Sequence, residues 1–182
     1  MTKLLSLHTR MSIVVLFSLV LAACAERVVE QTRYDYVNST GRTLPITYEV
    51  ASDWEVGNGG RYYLPGVARN QANLSVNVSS AKTMKETLPE KLRRVTRRGA
   101  SDKDRHILTT QMTKIHGVQA MVYAEQGEAY KPPEDRYFTH VVEFVSGLYL
   151  IDLKIRGHSD YYPVLLKQLD HTLDSIQIRD EA

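Results

Sequence analysis

The stretch from Tyr137 to Arg156 restricts the fold more than any other part of the chain. Tyr149, Ile151, Leu153 and Ile155 alternate there with Asp152, Lys154 and Arg156. An extended backbone therefore puts the apolar set on one face and the charged set on the other. Just upstream, Tyr137 to Val145 is a second strand-forming run, and Ser146-Gly147 joins it to Leu148–Arg156. Two residues suffice for a tight hairpin turn when a glycine can take positive φ. A hairpin with one apolar face is not stable alone. It needs further strands beside it and a cover over that face.

The rest of the chain supplies both. A second hairpin is predicted from Ile107–Ile115 and Val118–Glu125, joined at His116-Gly117. Earlier strands are predicted at Arg33–Val37 (closed by Asn38-Ser39-Thr40-Gly41), Leu44–Val50, Trp54–Val56, Arg61–Leu64 and Leu74–Val78. Two helices can cover a sheet. The first, over residues 87–98, opens on a Thr87/Glu90 capping box with Pro89 in its first turn, where a missing N–H costs little. Leu88, Leu92 and Val95 form its apolar stripe, and Gly99 is expected to end it. The second, over residues 161–175, is expected to be capped near Asp160 and carries Tyr162, Leu165, Leu166, Leu169, Leu173 and Ile176 on one face. Strands in runs with antiparallel hairpins and two flanking helices predict an α+β fold rather than a doubly wound parallel sheet. Gly127 to Arg136, with Pro132-Pro133, reads as a polar loop.

The order of these elements resembles the PsbP/Mog-like superfamily, including DcrB-like bacterial lipoproteins. The resemblance rests on Ile46–Val56 (ITYEVASDWEV), Asn73–Val76, Ile115–Ala120 (IHGVQA), Leu148–Leu153 (LYLIDL), and Tyr161-Tyr162-Pro163 leading into a helix that ends Leu173-Asp174-Ser175-Ile176. It spans about residues 44–178. It implies an α/β/α sandwich and a role in binding other proteins without catalysis. It brings no catalytic residues to this chain.

The N-terminus reads as an address. Lys3 and Arg10 precede an apolar run, Met11–Leu21, that is short for a bilayer span and suits a secretory signal. The run closes on Leu21-Ala22-Ala23-Cys24, a lipobox, so cleavage is expected before Cys24 and lipidation on it. Residues 1–23 are then signal, 24–32 the lipidated end and a short tether, and 33–182 a single domain. Several acyl chains anchor a protein stably where one does not. Ala25, in place of an aspartate, favours the outer membrane over the inner, with the protein facing the periplasm. Cys24 is the only cysteine, so no disulfide can form within the chain. Of 23 lysines and arginines, Lys3 and Arg10 lie before Cys24, leaving 21 against 21 acidic residues. A neutral mature domain argues against nucleic acid as a partner.

Little in the sequence points to catalysis. Ser79-Ser80-Ala81-Lys82 matches S-x-x-K without the companion motifs of the enzymes that use it. His106, His116, His140, His158 and His171 show no metal-ligand spacing. His140 shares a face with Phe138, Val142 and Phe144, where a buried, hydrogen-bonded histidine is expected. No metal or cofactor is called for. Two features suit a binding surface. One is the arginine set Arg93, Arg94, Arg97 and Arg98 on the first helix, which fits an acidic partner, anionic headgroups or simply a solvated face. The other is the tyrosines Tyr62, Tyr63, Tyr123, Tyr130 and Tyr137, a residue type enriched at interfaces and equally at home in strands. The expected function is a membrane-anchored accessory or assembly factor that binds an envelope protein. The alternatives are a lipid- or small-ligand-binding lipoprotein and, behind it, a periplasmic hydrolase.

Overall fold

The computed structural model describes residues 29–128, 131 and 135–179. Along the chain run β1 (Gln31–Val37), β2 (Thr43–Ala51), β3 (Glu55–Val56), β4 (Arg61–Tyr63), β5 (Ala72–Ser80), α1 (Leu88–Ser101), β6 (Arg105–Ile115), β7 (Val118–Gly127), β8 (Tyr137–Ser146), β9 (Tyr149–His158), α2 (Tyr162–Ser175) and β10 (Gln177–Ile178). Seven strands form one antiparallel sheet in the order β3-β4-β5-β9-β8-β7-β6. The other three form a second sheet, β1-β2-β10. Helix α1 lies on one face of the large sheet, against β6 and β7, and α2 lies on the other, against β9 and β2.

The alternation read in β9 sets this arrangement. Ile151, Leu153 and Ile155 are fully buried and line up across the register with Phe144, Val142 and His140 of β8 and with Val78, Val76 and Leu74 of β5. Leu165 and Leu169 of α2 close over this face, together with Ile46, Tyr48 and Val50 of β2. The small sheet joins the large one through aromatic rings. The hydroxyls of Tyr48 and Tyr62 lie 2.7 Å apart, and Tyr34 packs 5.1 Å from the Tyr62 ring. Helix α2 also holds β2 by its polar side chains. Thr172 Oγ1 donates to the Glu49 carbonyl at 2.9 Å, and the Ala51 N–H donates to Gln168 Oε1 at 3.2 Å.

Several expectations are corrected. The second sheet was not foreseen, because its third strand is only two residues long. Gly99 does not end α1. The helix runs on to Ser101, with Asp102 as its C-cap, and a Cβ at position 99 would collide with the Ile107 side chain. The glycine is there for close packing rather than for termination. The Thr87/Glu90 capping box forms as expected. Asp160 does not cap the closing helix. It sits inside a short 3-10 turn, Ser159–Tyr161, whose cap is His158.

Candidate functional site

The charged side of β9 faces α1, but α1 covers only the β6–β7 end of that face. The uncovered part is an open, polar cleft of about 920 Å³. The register builds its floor in rows. Glu125, Thr139, Arg156 and Asn73 stand opposite one another across β7, β8, β9 and β5. Tyr123, Val141, Lys154 and Ser75 form the next row. Asp104 and Arg105, where α1 gives way to β6, make one wall, and Glu128 and Lys131 beyond β7 make another.

Four cations and three carboxylates line the cleft, and among the described residues the Asp104 carboxylate has no ion pair. Arg105 Nη1 bonds Glu125 Oε1 at 2.7 Å and its Nε lies 3.1 Å from Asp102 Oδ2, so this guanidinium is fully engaged. Lys131 pairs with Glu128 at 3.0 Å. Lys154, half-buried, and Arg156, exposed, have neither an ion pair nor a side-chain hydrogen bond among the described residues. Burial, reinforced by the Glu125 charge, pushes the Tyr123 phenol up to about 12. It is therefore a neutral hydrogen-bond donor across the physiological range.

Beyond Lys154 the floor runs under α1. Glu143, 1% exposed, and Asp152 stand opposite each other on β8 and β9. Lys91 of α1 reaches down and places Nζ 2.7 and 2.6 Å from the two carboxylate oxygens of Glu143. Asp152 Oδ1 is buried with no hydrogen-bond partner among the described residues. Its carboxyl is raised above the usual range, first by burial and then by the Glu143 charge.

The residues singled out in the sequence are distributed differently. Arg93, Arg94, Arg97 and Arg98 are all exposed and share the broad solvent-facing side of α1. At 3.6 residues per turn, Arg93/Arg97 and Arg94/Arg98 form two neighbouring rows on that side. Arg94 is bound by Glu86, its Nε 3.1 Å from Oε1. Arg93, Arg97 and Arg98 have no ion pair among the described residues. His140 is on the α2 side of the sheet, its Nδ1 3.3 Å from the Tyr162 hydroxyl, with burial lowering its pKa. Ser80 Oγ accepts from the Lys82 N–H at a strand-to-turn junction, which gives the S-x-x-K stretch a local structural role. Of the tyrosines, Tyr62 is core, Tyr63 lies under the Arg69 guanidinium at 5.1 Å, and Tyr123 and Tyr137 line the cleft. Tyr130, like Leu21, Ala22, Ala23 and Cys24, lies outside the described residues. Lys154 and Arg156 were read only as the polar face of a strand, since alternation cannot tell which charges the fold leaves uncompensated.

No family model matches the chain, and no curated protein sequence matches it. Solved structures do. Cyanobacterial PsbP (CyanoP) from Synechocystis aligns with a TM-score of 0.50 at 14% identity, over 85% of this chain and 96% of that one. LpqN, described as involved in cell envelope biogenesis of Mycobacterium tuberculosis, aligns with a TM-score of 0.56 at 11% identity, over 82% and 91%. The Ran-binding protein Mog1p of Saccharomyces cerevisiae aligns with a TM-score of 0.50 at 11% identity, over 82% and 96%. The chain has the PsbP/Mog-like fold that the order of its elements resembles. At these identities the likeness is one of fold.

Proposed function

We propose that this chain is a lipid-anchored envelope lipoprotein, of the DcrB-like kind, that binds an acidic segment of a partner protein in the cleft floored by Lys154 and Arg156. It acts there as an accessory or assembly factor and not as an enzyme. The observation that carries this reading is the pair of cations facing an open polar cleft while every neighbouring cation of that cleft is already paired. An extended acidic peptide would supply the missing carboxylates. Around the two cations, Tyr123, Thr139 and Asn73 offer hydroxyl and amide groups for its backbone. Charge-assisted hydrogen bonds of this kind are the stronger ones in proteins. The neighbours support the binding role by their descriptions: Mog1p is Ran-binding, and LpqN is tied to envelope biogenesis. No helix among the described residues is long and apolar enough to cross a membrane. In this reading the anchor is the lipid on Cys24, with the outer membrane as its place.

The test is crosslinking of the full chain in its native envelope, with a photoreactive residue at Thr139. A defined partner adduct is expected. It should be lost with Lys154→Glu/Arg156→Glu, retained with Arg93→Glu/Arg97→Glu, and depleted from the membrane fraction with Cys24→Ala. An adduct indifferent to the Lys154/Arg156 reversal would refute the cleft as the binding site.

A further inference from the structure

On the α2 side of the molecule, away from the polar cleft, lies a groove of the opposite character. It measures about 540 Å³ and runs between α2 and the first two strands, with Ala51 and Trp54 in its floor and Val29, Leu64 and Val164 around them. Val29 and Val164 are 44% and 41% exposed, which is unusual company for two large apolar side chains at one opening.

Most of the polar groups along this groove are engaged; the exposed Asp53 carboxylate is an exception, with no ion pair or side-chain hydrogen bond among the described residues. Gln168 accepts from the Ala51 N–H and donates to Thr172 Oγ1 at 3.1 Å, and its amide lies 3.5 Å from Gln31 Oε1. His171 Nε2 lies 3.3 Å from Glu49 Oε2 but makes no hydrogen bond among the described residues. Lys167 also has a partner. The surface the groove leaves open is therefore mainly hydrocarbon, with Asp53 as its one unpaired carboxylate, and the ligand that matches its apolar part is a hydrocarbon chain.

Val29 also fixes where such a chain can come from. Cys24 precedes it by five residues, and five extended residues reach roughly 17 Å at most. We propose that the groove seats one of the acyl chains carried by Cys24. This rests on the reading of Cys24 as lipidated. A ligand tethered this closely is present at high effective concentration, so it outcompetes free lipid for a groove of modest affinity. The remaining chains of a triacylated cysteine still meet the requirement of more than one lipid for stable anchoring. Seating one chain presses the α2 side of the domain against the bilayer and leaves the cleft on the other face of the sheet turned toward the aqueous compartment.

A photoreactive residue in place of Val164, in the full chain expressed and processed in cells, tests this directly. Illumination should tie position 164 to the acylated Cys24 peptide, detected by mass spectrometry. The same probe at Leu148, which is 59% exposed in the β8–β9 turn, should give no such product. A second variant, Leu64→Asp, should reduce the crosslink at least several-fold. It should also shift the emission of Trp54, the only tryptophan of the chain, to longer wavelength. The intact mass of the mature protein separates the two ideas. An acylated Cys24 without the crosslink, or a crosslink to phospholipid or to another protein, overturns the seating while the lipoprotein reading stands. An unmodified Cys24 overturns both.

Discussion

Lys154 and Arg156 stand two residues apart on one face of β9, where their like charges repel across roughly 7 Å. In a solvated cleft that repulsion is on the order of 1 kcal/mol or less, so Arg156→Gln should leave thermal stability unchanged or slightly improved while weakening partner binding. One row away the balance is reversed. Lys91 is the cation that answers the buried Glu143, and removing it strands a carboxylate. Because Lys91 remains 29% exposed, Lys91→Met should cost about 3 kcal/mol, the lower end of the range for breaking a buried pair. Urea denaturation would show it, and Lys91→Met/Glu143→Met should recover most of the loss. Asp152 contributes one component of the pH dependence. Its carboxyl is raised from 3.8 by burial and by Glu143, so the folded chain holds this proton more tightly than the unfolded one. Its contribution therefore favours the fold in acid and is lost as pH rises through the raised value. Asp152→Asn should stabilise the protein at pH 7 by roughly 1–3 kcal/mol, the cost of an unsatisfied buried polar group. That gain should shrink as pH falls toward 4. Melting curves of the two proteins from pH 4 to 8 would check the sign, and a gain that grows in acid would contradict it.

At the scale of elements, helix α1 and its seat on β6 show how local preference and packing compete. Alanine is the better helix former by up to about 1 kcal/mol, yet at position 99 its Cβ would run into Ile107. Gly99→Ala should therefore destabilise the protein as it stands, and stabilise it in an Ile107→Ala background. Purely additive effects in that cycle would mean that the contact does not matter. The same residue shows why parts of the fold escape a reading of sequence. The capping box at Thr87, the β8–β9 hairpin and the apolar stripe of α2 are local patterns, visible within ten or fifteen residues. The reason for Gly99 lies on another strand. So does the three-stranded sheet, since the pairing of Gln177-Ile178 with Ile46-Thr47 joins segments some 130 residues apart through only two residues of strand. The cleft was half legible. Alternation in β9 put Lys154 and Arg156 on a polar face. That Arg105 claims Glu125 and leaves these two unanswered depends on the whole register. Of the arginines of α1, more conspicuous in the sequence, one is spent on Glu86.

At the scale of the molecule, the seven-stranded sheet divides two chemistries. One face carries the core, α2, the small sheet and the apolar groove near Val29. The other carries α1, the buried Glu143–Lys91 pair and the polar cleft of Lys154 and Arg156. In the proposed reading, an anchor at Cys24 and a partner site in the cleft would serve opposite sides of one sheet, which would suit a factor held at a membrane while it presents a binding surface to the solution. The most direct measurement is a calorimetric titration of the purified full chain with a glutamate decapeptide at two ionic strengths. Binding is expected at low salt, several-fold weaker at 0.3 M because the attraction is screened. Lys154→Glu/Arg156→Glu should lose it by at least ten-fold, and Arg93→Glu/Arg97→Glu should not. Equal binding by wild type and the Lys154/Arg156 variant, or loss only in the Arg93/Arg97 variant, would contradict the assignment of the cleft.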